Sequence, residues 1–172
     1  VSEVGPPVEP VERVQADGPQ IADIVGGERA DVSAADAAAT RVTGTVEFDS
    51  RAVTQGGLFL ALPGARSDGH DFAATAVAAG AVAVLAARPV GVPAIVVAPR
   101  TEPGTDTAAS VLEYDTDGSG AAVLAALAKL AAAVAAELVA GGLTIVGITG
   151  SSGKTSTKGL VAAVAAPLGE GG

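Results

Sequence analysis

The chain has 172 residues, a formal net charge of −9 and no cysteine. Its 10 Lys and Arg residues are scattered, which argues against a nucleic-acid partner because phosphate neutralisation needs clustered basic side chains. Without cysteine there can be no disulfide framework and no thiolate metal site, which argues against zinc chemistry. The amino end does not have the pattern of a secretory signal, so we expect a cytoplasmic protein.

Residues 1–17 are rich in Pro and acidic residues and show no helical or strand period, so we predict a disordered arm. A short helix is predicted from Pro19 to Val25, where apolar residues share one face and two glycines follow. A second helix is predicted to begin at Ser33, because its spacing to Asp36 resembles a capping box.

The next segment alternates predicted strands with predicted helices. Apolar and polar residues alternate from Val42 to Phe48, the pattern of a half-buried strand. The elements predicted after it are a strand over 57–62, a polar loop over 63–70, a helix over 71–79, and strands over 81–87 and 94–98. This order indicates an α/β domain over residues 18–99.

Residues 100–119 are rich in Gly, Thr, Asp and Pro, and we predict a linker there. A long helix with an apolar stripe is predicted over 120–140, and Gly141-Gly142 is predicted to end it. It is apolar enough to raise the question of a membrane span, but Lys129 and Glu137 favour a packed helix without membrane insertion. Leu143 to Ile148 is a continuous apolar run, typical of a parallel strand covered on both faces.

A glycine-rich loop, Gly-Ile-Thr-Gly-Ser-Ser-Gly-Lys-Thr at 147–155, follows this strand and precedes another helix. Such a loop turns backbone N–H groups toward phosphate oxygens at a helix N-terminus, so it predicts an ATP or GTP site. Lys154 would reach the β- and γ-phosphates, and Thr155 would bind Mg²⁺. A strict Walker A pattern requires glycine where Ile148 stands, and the alternative is a plain strand-to-helix turn. The predicted nucleotide-binding residues are Thr149, Gly150, Ser151, Ser152, Gly153, Lys154 and Thr155.

Residues 149–155 resemble the nucleotide loop of the Mur ligase family, Thr-Gly-(Thr/Ser)-(Asn/Ser)-Gly-Lys-Thr, whose pattern accounts for Ile148. With Ser156-Thr157-Lys158 following, this version is most similar to the members that act on UDP-N-acetylmuramoyl-tripeptide. Several strings of the first domain resemble the family's uridine-binding domain: Phe48-Asp-Ser-Arg51, Gly57-Leu-Phe-Leu-Ala-Leu62, Gly64, Asp68-Gly-His70, Phe72 and Gly80-Ala81.

The resemblance implies a uridine-binding α/β domain over 18–99, followed at 120–172 by the incomplete start of a P-loop ATPase-type domain. It implies an ATP- and Mg²⁺-dependent peptidoglycan-precursor ligase. ATP would phosphorylate the tripeptide carboxylate, and the D-alanyl-D-alanine amine would displace phosphate from the acyl phosphate. Lys154 is then the predicted catalytic residue. We expect a monomer at full length and no ligation by this chain alone. The alternatives are a non-catalytic UDP-muramoyl-peptide or nucleotide-binding module and an unrelated P-loop ATPase.

Three residues of the first domain are predicted to bind the UDP end of the substrate. Ser50 and Arg51 could hydrogen-bond uracil or pyrophosphate oxygens, although a turn hydroxyl and a surface ion pair are the alternative. His70 is included with them, although a lone His after Asp-Gly is often a capping or packing residue. For Asp49 and Asp68 we predict structural roles in organising Arg51 and the loop backbone, and no metal site.

Overall fold

The structure is a computed structural model that describes residues 18–99, 113–145 and 147. The predicted arm over 1–17 and most of the predicted linker lie outside the described residues. The chain divides into two compact units, Val1–Glu137 and Leu138–Gly172.

The first unit contains a five-stranded sheet. The elements are α1 Gly18–Val25, β1 Glu28–Ala30, α2 Ala34–Ala39, β2 Val46–Glu47, β3 Gly57–Leu60, a 3₁₀ turn Gly69–Phe72, α3 Ala73–Ala79, β4 Ala81–Ala86, β5 Ala94–Val96 and α4 Ser119–Ala140. The strand order is β1-β5-β4-β3-β2; strands β2 to β5 pair in parallel, and β1 pairs antiparallel with β5. The predicted α/β class is confirmed, and the sheet is mainly parallel.

Both faces of the sheet are buried. Leu58, Leu60 and Leu85 pack in a cluster with residues of α1 and α4, while Phe59 and Val84 pack on the other face with α3. Successive residues of a strand point to opposite faces, so a strand covered on both sides must be apolar at every position. This is why the central strands read as unbroken apolar runs in the sequence.

Helix α4 joins the core of the first unit through its amino-terminal half. The Asp115 carboxylate accepts hydrogen bonds from the backbone N–H groups of Gly120 (3.0 Å) and Ala121 (2.8 Å). These bonds satisfy two N–H donors of the first turn that have no partner within the helix. Lys129 Nζ donates to the Val25 carbonyl at the end of α1 (2.9 Å). The buried residues of this half include Ala122, Val123, Ala126 and Leu130.

By length and composition alone, α4 could cross a membrane. The predicted packing of this helix is confirmed for its amino-terminal half, which lies in the protein core. The domain boundaries proposed from the sequence, 18–99, 100–119 and 120–172, stay a prediction.

In the second unit, the predicted glycine stop of α4 is confirmed. Gly142 has φ 98°, Leu143 N–H donates to the Leu138 carbonyl (2.9 Å), and Gly142 N–H donates to the Val139 carbonyl (3.0 Å). These bonds form a Schellman motif, which satisfies the last carbonyls of the helix. Beyond it, residues 143–145 are exposed and form no strand, so the strand predicted over 143–148 is not formed in this described part.

Two further sequence predictions of strands differ from the structure. The strand expected over 42–48 is reduced to Val46–Glu47, because the N–H groups of Thr43 and Gly44 both donate to the carbonyl of Gly56 in the neighbouring turn. Strand β1 was not predicted. Its sequence Glu-Arg-Ala lies at the sheet edge and is largely exposed, so it has no apolar alternation to detect.

Candidate active site

The predicted substrate-binding residues of the first domain all follow the carboxyl ends of parallel strands. The turn with Ser50 and Arg51 follows β2, and the loop that ends at His70 follows β3. Since β2 and β3 are parallel neighbours, both segments lie at the same edge of the sheet. In open α/β sheets this edge is where ligands bind.

The turn after β2 is organised by Asp49. Its carboxylate accepts Arg51 Nε (2.9 Å), Arg51 Nη2 (2.7 Å) and the Arg51 backbone N–H (3.0 Å). The hydrogen bonds from the Arg51 side chain and backbone lower the pKa of Asp49 to about 2, and the same pairing raises the pKa of Arg51. The Arg51 side chain is 87% exposed, and Ser50 has no hydrogen-bond partner among the described residues.

The loop after β3 lies backbone against backbone on the end of that strand. Gly69 N–H donates to the Leu62 carbonyl (2.9 Å), and a Cβ atom at Gly69 would lie 2.6 Å from the backbone N and O of Leu62. Gly64 N–H donates to the Ser67 carbonyl (3.1 Å), which closes the tip of the loop. Only glycine permits the close approach at position 69.

His70 is a buried residue at the centre of a chain of hydrogen bonds. Its side chain is 1% exposed, with Nδ1 2.6 Å from Asp68 Oδ1. Its Nε2 accepts the backbone N–H of Ala87 (3.0 Å), directly after β4. Asp68 also accepts the His70 backbone N–H (2.9 Å) and Arg88 Nη2 (2.8 Å).

The pKa of Asp68 reflects two opposing effects. Partial burial by itself would raise it, but hydrogen bonds from the His70 backbone, Arg88 and the His70 ring lower the pKa of Asp68 to about 2. Asp68 is therefore ionised at neutral pH and organises the loop, as predicted for both aspartates. Among the described residues, no group of three or more side chains could hold a metal ion.

The edge thus contains residues of two kinds. The Arg51 side chain is exposed and Ser50 is half-buried without a hydrogen-bond partner among the described residues, whereas both ring nitrogens of His70 are already used by protein atoms. Two further arginines at this edge were not singled out from the sequence. Arg88 is marked there only by its position after an apolar strand. Arg66 is exposed in the loop and has no ion-pair partner in the part of the chain described.

The predicted nucleotide-binding residues at 149–155, including Lys154 and Thr155, lie outside the described residues. Gly147 alone represents the loop, and it is exposed. The nucleotide site therefore stays a prediction from the motif.

The family model of the Mur ligase family, catalytic domain, matches residues 43–134, more than half of the chain. The chain belongs to the Mur ligase family. The family resemblance drawn from the motifs is thus confirmed, and the match includes both the turn of Arg51 and the loop of His70.

Individual Mur ligases show how far the similarity extends. The chain is 78% identical over 151 residues to the UDP-N-acetylmuramoyl-tripeptide--D-alanyl-D-alanine ligase of Mycobacterium tuberculosis (strain H37Rv), covering 88% of this chain and 29% of that protein. It is 75% identical over 151 residues to the ligase of the same name from Mycobacterium leprae, with the same coverage. The crystal structure of MurF from Acinetobacter baumannii is 28% identical, with a TM-score of 0.41 over 51% of this chain and 19% of that one. The chain thus spans 29% of the length of its curated mycobacterial relatives.

Proposed function

We propose that the chain is part of a cytoplasmic ligase that joins D-alanyl-D-alanine to UDP-N-acetylmuramoyl-tripeptide using ATP, in peptidoglycan-precursor synthesis. The described α/β domain binds the uridine-diphosphate end of the precursor. The observation that carries this assignment is the solvent-facing turn of Ser50 and Arg51 at the carboxyl edge of the sheet. The identity to mycobacterial ligases of that name supports it.

The electrostatics of the edge suit a diphosphate. The chain as a whole has a net charge of −9, yet Arg51, Arg66 and Arg88 all lie in segments that follow carboxyl ends of the parallel strands. A guanidinium binds phosphate oxygens with two parallel hydrogen bonds. The ion pair of Arg51 with Asp49 is exposed, so solvent screens it and a phosphate can replace the carboxylate at little cost.

The ATP site is assigned to residues 149–155 from their motif. Lys154 would contact the β- and γ-phosphates and Thr155 would bind Mg²⁺. When bound, ATP supplies the phosphoryl group that activates the tripeptide carboxylate. We expect substitution of Lys154 by Ala in a full-length ligase to abolish ligation and to leave binding of the uridine end intact.

The test of the uridine site is calorimetry of this chain with UDP-N-acetylmuramoyl-tripeptide. We expect Arg51→Ala to weaken binding roughly ten- to a hundredfold, because a charged hydrogen bond to the diphosphate is lost. Arg29→Ala is the matched control, since Arg29 carries the same charge but lies in β1, the outermost strand on the side of the sheet away from β2. Equal affinity of the Arg51→Ala variant and the unmodified chain would overturn the proposal.

A further inference from the structure

We propose that His70 is a positioning residue that holds the substrate loop in place as a neutral, Nδ1-protonated imidazole, without itself touching the ligand. The His70 latch consists of Asp68, His70 and the backbone N–H of Ala87. It joins the loop after β3 to the carboxyl end of β4. The identity of the ligand at this edge of the sheet rests on the proposed function. The hydrogen bonds that form the latch do not depend on it.

The hydrogen-bond partners decide the tautomer of the ring. A backbone N–H can only donate, so the Nε2 atom that lies 3.0 Å from Ala87 N must be the acceptor. The ring proton is then on Nδ1, which donates to Asp68 Oδ1 at 2.6 Å. In a neutral imidazole the bond made by one nitrogen fixes the state of the other.

Burial makes this arrangement persistent. The His70 side chain is 1% exposed and Ala87 is 5% exposed, so water cannot replace the ring as the acceptor for the Ala87 N–H. Loss of the ring would leave a buried donor unpaired, a state that folded proteins rarely tolerate. The backbone contact of Gly69 with Leu62 adds a second attachment of the same loop.

The latch also sets the positions of charged residues at the edge. Asp68 binds the His70 ring through Oδ1 and Arg88 through Oδ2 (2.8 Å), so the guanidinium of Arg88 is oriented by the carboxylate that the ring holds. The loop between β3 and the latch carries the exposed Arg66. Release of the ring would therefore move binding groups that His70 never contacts.

The decisive measurement uses the fact that the chain has a single histidine. The full chain labelled with ¹⁵N-histidine gives one set of ring signals, and long-range ¹H–¹⁵N correlation spectra at neutral pH identify the tautomer. We expect a protonated Nδ1 with a strongly downfield proton and an unprotonated Nε2. An Nε2-protonated ring, or a rapidly exchanging mixture of both tautomers, would overturn the latch.

Two variants test the positioning role. His70→Leu removes both hydrogen bonds, whereas His70→Gln keeps a side-chain oxygen that can accept the Ala87 N–H. We expect His70→Leu to weaken binding of UDP-N-acetylmuramoyl-tripeptide about tenfold, and His70→Gln to recover part of the loss. Equal affinities of both variants and the unmodified chain would refute the positioning role.

The tautomer measurement needs neither variant, so a variant that fails to fold leaves the latch testable. If the unmodified chain has the Nδ1-protonated ring but does not bind the UDP precursor, the proposed function fails and the latch stands. If the chain binds the precursor but has the other tautomer, the latch fails and the proposed function stands.

Discussion

Two segments at the carboxyl edge of the sheet carry the same short pattern, an aspartate followed two residues later by a basic or titratable side chain. In Asp49-Ser50-Arg51 and Asp68-Gly69-His70, the aspartate accepts the backbone N–H two residues on, at 3.0 Å and 2.9 Å. Each aspartate also binds the side chain of that residue. The segments differ in burial, because the Arg51 side chain is 87% exposed and that of His70 is 1% exposed.

The difference shows that local chemistry does not decide the role of such a pattern. Arg51 follows β2, an edge strand with one neighbour, whereas His70 lies against the end of β4, which has a strand on either side. In water the ion pair is weak and a ligand can exchange with it. In the interior the hydrogen bonds are costly to break, so the same pattern becomes a permanent structural contact.

Substitution of the central residue of each pattern should give the largest difference in stability between the two segments. We expect Gly69→Ala to lower the free energy of unfolding by about 2–3 kcal/mol, because the new Cβ would lie 2.6 Å from backbone atoms of Leu62. Ser50→Ala is the matched control and should change stability by less than about 0.5 kcal/mol. Urea unfolding of both variants measures the difference. Similar midpoints would show that the two segments are equally adaptable.

Removal of the third side chain of each pattern should separate stability from binding. We expect His70→Leu to lower the free energy of unfolding by about 1–3 kcal/mol, since it leaves the Ala87 N–H buried and unpaired. Arg51→Leu should leave the unfolding midpoint unchanged and should affect only ligand binding. An Arg51→Leu variant as unstable as His70→Leu would contradict the distinction drawn from burial.

The dependence of stability on acidic pH should distinguish Asp68 from Asp49 when it is measured at high salt. The folded pKa of Asp68, about 2, is below its usual value of about 3.9 in an unfolded chain. Its stabilisation is therefore present above about pH 4 and is lost as the pH falls from about 4 through 2. Asp68→Asn should flatten stability over that range, even at about 1 M salt, where the exposed Asp49 pair is screened. If the free energy of unfolding at high salt has the same slope against pH in Asp68→Asn as in the unmodified chain, ionised Asp68 does not stabilise the fold as proposed.

The smallest expected contrast is in hydrogen exchange. The Ala87 N–H donates to a buried ring nitrogen, whereas the Ala52 N–H donates to the Asp49 carbonyl in an exposed turn (3.0 Å). We therefore expect the Ala87 amide to exchange far more slowly than that of Ala52 under native conditions. Comparable rates for the two amides would indicate that the latch opens as readily as the turn.

The sequence predicted those features that depend on neighbouring residues. The cap of α2 is confirmed, with Ser33 Oγ accepting the Asp36 N–H (3.1 Å), and so is the glycine stop after α4. The family motifs led to the correct family. The predicted strand over 42–48 was wrong in length, because the backbone N–H groups of Thr43 and Gly44 donate to the carbonyl of Gly56 in the turn beside them, a contact that no local alternation can reveal.

Composition and local pattern alone determined the α/β class, the apolar character of the central strands and the structural roles of Asp49 and Asp68. Only the tertiary structure decided that His70 is buried and that its ring accepts a hydrogen bond, because both depend on the packing of its loop against Ala87, a residue 17 positions along the chain. Likewise, Lys129 finds the Val25 carbonyl 104 residues away, which anchors α4 to the first unit. Sequence periodicity reports on interactions within a turn or a strand, whereas burial is set by which distant elements the fold packs together.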